Sequence, residues 1–128
     1  MAPLFRPGIA VEYWIPDLCV LEVANAMRKR YLVDEGFTQE YLGRSIQDLL
    51  ALGPVVVSSI ALIGATVEFA NRLTAYDAAY VALAAARGLP LCTLDGALGQ
   101  AARDSGASVV IPGTGQFTAW VDRLTPRR

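Results

Sequence analysis

The stretch Leu73–Ala102, LTAYDAAYVALAAARGLPLCTLDGALGQAA, decides the fold. Thr74 is placed to cap a helix at its N-terminus, and Asp77, three residues on, stands where a capping box carries its acid. The alanine-rich run that follows is apolar nearly all round. Alanine suits helices and permits close packing, so a central helix is predicted, closed by Gly88. Pro90 to Thr93 is a short apolar strand, and Gly96 to Asp104 reads as the next helix. A helix, a strand and a helix in immediate succession imply crossover units and a parallel sheet.

The same alternation extends outward on both sides. Downstream, Ser108 to Ile111 reads as a strand, and a last short helix would hold Phe117, Trp120 and Val121. Upstream, a helix is predicted over about Ile60–Asn71. Before it, Val55-Val56-Val57 is a wholly apolar strand of the kind buried on both faces. Thr38 caps a preceding helix carrying Tyr41, Leu42, Ile46, Leu49 and Leu50, ended by Gly53. Pro16-Asp17 opens the first helix, with Asp17 suited to its N-cap region, and its stripe of Leu18, Leu21, Ala24 and Met27 runs to about Tyr31 before Asp34-Glu35-Gly36 breaks it. Residues 1–15 are irregular, with Val11–Ile15 a candidate short strand, and residues 16–128 form one domain.

Composition narrows the chemistry. The chain has 128 residues, 54% hydrophobic and 18% charged, which supports a packed core and excludes a disordered chain. There is no histidine. Imidazole bases, Ser-His-Asp or Cys-His mechanisms and His-ligated zinc are thereby excluded. The two cysteines, Cys19 and Cys92, are far apart in sequence and read as buried free thiols in a reducing compartment. A net charge of −1 provides no broad basic surface, although Arg28-Lys29-Arg30 forms a local cluster that also suits a solvated helix C-terminus. No segment has the continuous apolar length of a membrane span or a leader peptide, so the expected location is cytoplasmic.

Three acids stand out by position. Glu22 lies early in the first helix, Asp77 in the first turn of the alanine-rich helix, and Asp95 directly after a strand. In a parallel sheet, strand C-termini and the helix N-termini that follow share one edge, where ligands bind. Carboxylates converging there need a cation, and hard oxygen donors suit Mg²⁺ or Mn²⁺. Such an ion activates water and steadies charge on a phosphodiester. Each acid also has a plainer role: Asp77 and Asp95 as helix caps, Glu22 as a solvated charge.

Two blocks of the chain resemble PIN-domain ribonucleases of the VapC type, the toxins of toxin–antitoxin pairs. The first is PDLCVLEVANAMRKR (Pro16–Arg30), with Pro-Asp opening a helix that bears Glu22 and, one turn on, Asn25. The second is Leu73–Ala102, with its Tyr-Asp-Ala and Thr-x-Asp signatures. The resemblance covers about residues 16–111. It implies a three-layer α/β/α fold with a short parallel sheet. It assigns metal-holding and catalytic roles to Glu22, Asp77 and Asp95, with Asn25 and Thr93 in support and Mg²⁺ or Mn²⁺ as cofactor. It also implies an RNA substrate, a cognate antitoxin and a homodimer. The family's usual first strand, ending in an Asp, and the helix after it have no counterpart here; Glu12 and Asp17 are the nearest acids, and neither sits in a family motif. Three accounts fit this departure: a chain that starts downstream of that strand, a gap filled by Val11–Ile15, or a domain that no longer cleaves and serves as a protein-binding scaffold.

Overall fold

The structure is a computed structural model and describes residues 12–112. Its elements run β1 (Trp14–Pro16), α1 (Leu18–Val33), α2 (Gln39–Ala51), β2 (Val55–Val57), α3 (Ser59–Leu62), α4 (Ala65–Glu68), α5 (Ala75–Arg87), β3 (Leu91–Cys92), α6 (Gly96–Asp104) and β4 (Val109–Val110). It is a small mixed α/β fold with short parallel strands, the class read from the sequence. The helix expected around Phe117, Trp120 and Val121 lies outside the described residues. The described chain forms two compact units, residues 13–61 and residues 62 onward.

In the first unit, β1 and β2 pair in parallel, with Trp14, Ile15 and Pro16 opposite Val55, Val56 and Val57. The ladder continues past the strand ends: Val55 N–H donates to the Tyr13 carbonyl at 2.7 Å, and Asp17 N–H to the Val57 carbonyl at 2.9 Å. The strand expected at Val11–Ile15 is thus centred slightly later. Helix α1 ends where the sequence breaks it. Asp34 N–H bonds the Arg30 carbonyl, and the Asp34 carboxylate accepts from Gly36 N–H at 3.0 Å, an Asx turn that reverses the chain. Thr38 then caps α2 through its hydroxyl, which accepts from Tyr41 N–H at 3.2 Å.

Three expectations for this unit are corrected. Val56 is exposed and its neighbours half-buried, so β2 is not covered on both faces: its sheet has two strands, too few to enclose it. Leu21, expected in the stripe of α1, is 74% exposed, and α1 buries no residue fully. Asp17 does not cap α1. Its own backbone is helical (φ −57°, ψ −33°), whereas a capping residue needs an extended one to aim its oxygen at the first turn.

The second unit holds the core. Helix α5 is capped by the Thr74 hydroxyl, which accepts from Asp77 N–H at 3.2 Å, and closed by Gly88 in the left-handed region at φ 62°. Both ends are as the sequence predicts. Ala78, Val81 and Ala84 on its inner side pack with Ala65 and Phe69 of the α4 region, Leu91 of β3, and Leu98, Ala101 and Ala102 of α6. Val81, wholly buried, contributes about 1.5–3 kcal/mol by leaving water. β3 and β4 run parallel, Leu91 opposite Val109 and Cys92 opposite Val110. Cys92 is exposed and Cys19 half-buried, so the expected burial of both thiols is corrected; both are free.

The single helix expected over Ile60–Asn71 is instead α3 and α4, parted at Ile63-Gly64. Glycine is a poor helix former, and the chain there makes tight three-residue bonds: Thr66 N–H to the Ile63 carbonyl and Val67 N–H to the Gly64 carbonyl.

Candidate functional site

A depression in the second unit lies at the C-terminal ends of β3 and β4, where Thr93 and Ile111 leave the sheet. It is small and open. Thr93, Asp95, Gly96, Gly99, Arg103 and Ile111 are among its lining. A crevice at the carboxyl ends of parallel strands is where ligands enter such folds.

Asp95 is built into this edge by local chemistry. Its backbone N–H donates to the Thr93 hydroxyl at 3.0 Å, which turns the chain as it leaves β3. Its Oδ1 then accepts from Ala97 N–H at 2.9 Å and Leu98 N–H at 3.1 Å, capping α6. Asp95 is therefore a true N-cap, the plainer role weighed from the sequence. The cap uses one oxygen; Oδ2 accepts no hydrogen bond from the described residues, and the residue is exposed. The Thr93 hydroxyl, by accepting from the Asp95 N–H, fixes the backbone that carries the Asp95 carboxylate.

Asp77 lies half-buried in the first turn of α5, with its N–H on Thr74. It is not among the residues lining the depression. A third acid of this unit, Asp104, is committed elsewhere. It accepts from Gln100 at 2.9 Å and pairs with Arg72 at 2.8 Å, and these partners hold its carboxyl below the usual range. In the other unit, Glu22 and Asn25 are both exposed on α1, three residues apart and so on one face of the helix. Arg30 of the basic cluster is engaged by Asp34 at 3.4 Å and sits 4.9 Å over the ring of Phe37, which suits a solvated helix end.

The donors on offer are carboxylates without imidazole, the chemistry that fits a hard cation. Among the described residues of neither unit do three His, Cys, Asp or Glu side chains gather.

Two residues escaped the sequence reading. Arg103 lines the depression, with its Nη1 beside Gly99, one turn earlier on α6. Asp17 is the other: its carboxylate accepts from both the N–H and the hydroxyl of Ser59, each at 3.1 Å, and ties the end of β1 to the start of α3. The Ser59 N–H, then its hydroxyl, lower the Asp17 pKa. Forty-two residues separate the two, and no local pattern announces the pair.

The chain is similar to PAE2754 from Pyrobaculum aerophilum. That crystal structure matches with a TM-score of 0.59 and 23% identity, over 87% of this chain and 75% of the other. At this identity the likeness concerns the fold alone. No family model and no curated protein matches the chain. Among the described residues no helix is long and apolar enough to cross a membrane.

Proposed function

We propose that the chain is a PIN-type, divalent-metal-dependent endoribonuclease, the toxin of a VapBC-type pair acting in the cytoplasm. The observation that carries this reading is the Thr93–Asp95 turn. A carboxylate is fixed at the C-terminal edge of a parallel pair of strands, with one oxygen capping α6 and the other turned to no partner. The sequence blocks around Glu22 and Asp77 and the small α/β fold support it. In this reading Glu22, Asp77 and Asp95 hold Mg²⁺ or Mn²⁺, Asn25 and Thr93 orient them, and the ion supplies activated water and charge stabilisation on the phosphodiester. The antitoxin, and a second copy of the chain, would find apolar surface already present: Leu32 and Val33 of α1 and Val67 of α4 are 59%, 84% and 83% exposed.

A second reading, a PIN-like scaffold that acts by protein binding alone, is favoured by the cap role of Asp95 and by the absence of a three-acid group within either described unit. Calorimetric titration with Mn²⁺ separates the two. A nuclease shows saturable binding that Asp77→Asn weakens at least tenfold, whereas a scaffold shows no saturable heat.

A further inference from the structure

We propose that Arg103 is a substrate-binding residue that takes a backbone phosphate of single-stranded RNA at the depression beside Asp95. This rests on the ribonuclease reading and adds a residue to it. A Cβ built on Gly99 would lie 3.8 Å from Arg103 Nη1, 3.8 Å from Thr93 Cγ2 and 3.4 Å from Val109 Cγ1. The guanidinium thus lies back along α6 beside Gly99, and Arg103 lines the depression together with Thr93 and Asp95.

The Arg103 guanidinium has no hydrogen-bond or ion-pair partner among the described residues. The carboxylate beside it in sequence, Asp104, is held by Arg72 and Gln100 instead. The other arginines with described partners, Arg30, Arg44 and Arg72, each sit on an acid. A guanidinium left unpaired at the mouth of a crevice presents a planar donor fork that matches a phosphate. A phosphodiester approaching Asp95 on a chain of net charge −1 meets repulsion, and one fixed positive group on the rim offsets it. A plainer role for Arg103, a cation complementing the C-terminus of α6, requires only its charge.

The test is binding of a fluorescein-labelled single-stranded RNA, followed by anisotropy in EDTA across a series of salt concentrations. Arg103→Gln is expected to weaken binding about tenfold, as loss of a charge-assisted contact does. The slope of log affinity against log salt should fall by about 0.7, one phosphate on a single strand. Arg103→Lys keeps the charge but not the fork; it should retain the slope and lose part of the affinity. Parental affinity and slope in Arg103→Gln, or no RNA binding by the parent, overturns the proposal. Cleavage in Mn²⁺ distinguishes this failure from that of the ribonuclease reading. If Asp77→Asn abolishes cleavage while Arg103→Gln leaves binding unchanged, only the role of Arg103 is lost. If the parent binds RNA through Arg103 but no acid variant affects cleavage, the ribonuclease reading falls instead.

Discussion

Asp95 carries two roles that substitution can separate. As a cap, its Oδ1 accepts from Ala97 N–H at 2.9 Å and Leu98 N–H at 3.1 Å. Asp95→Ala leaves both donors unsatisfied by protein and should cost about 1 kcal/mol, within the range of roughly 0.5–2 for lost caps. Asparagine caps as well as aspartate, so Asp95→Asn keeps both bonds. It loses only the attraction of a negative charge for the helix N-terminus, about 0.3–1 kcal/mol at an exposed site. With a urea slope of about 1–3 kcal/mol/M, the alanine variant should unfold at a midpoint roughly 0.3–1 M lower, and the asparagine variant closer to the parent. Cleavage of single-stranded RNA in Mn²⁺ should be lost in both, because the amide cannot serve as an anionic ligand. Circular dichroism in urea and a gel assay of cleavage read the two roles independently. Parental cleavage by Asp95→Asn would reduce Asp95 to a cap. An alanine variant as stable to urea as the parent would refute the capping geometry itself.

Two further outcomes concern the scaffold. The lowered pKa of Asp17 means that its bond to Ser59 is a stability term present at neutral pH. It is lost as pH falls below the ordinary value of 3.8 through the lower folded value, because the unfolded chain takes up the proton first. Asp17→Asn should therefore flatten the acid limb of a stability–pH curve measured by urea unfolding, and an unchanged limb would count against the clamp. Gly88→Ala, at φ 62° with nothing within 4 Å of the new Cβ, should cost about 1 kcal/mol from backbone strain alone, read as a lower urea midpoint.

What the sequence disclosed, and what it did not, divides along local and non-local physics. Thr38, Thr74 and Gly88 act through bonds and dihedrals within one turn, so their spacing identified helix ends that the structure reproduces. The buried alanines of α5 were legible for the same reason. Exposure was not. Val56 and Leu21 have the composition of core residues, yet what covers them depends on neighbours that periodicity does not contain. The break at Gly64 was visible as a residue but not as an outcome, since glycine inside a helix is tolerated when packing compensates. Asp95 and Thr93 were singled out by strand-end position, and the turn and cap they form are local hydrogen bonds of that position. The partnership of Asp17 with Ser59 and the reach of Arg103 depend on tertiary placement, and a single sequence carries no pattern for either.

The most direct test of the central claim is Mn²⁺-dependent cleavage of a single-stranded RNA by the parent chain beside Asp77→Asn. The account predicts cleavage by the parent that EDTA abolishes and Mn²⁺ restores, with the variant at least a hundredfold slower although still cooperatively folded in urea. Asp77→Asn cutting at the parental rate, or a folded parent that cuts no RNA at any Mn²⁺ concentration, would contradict it.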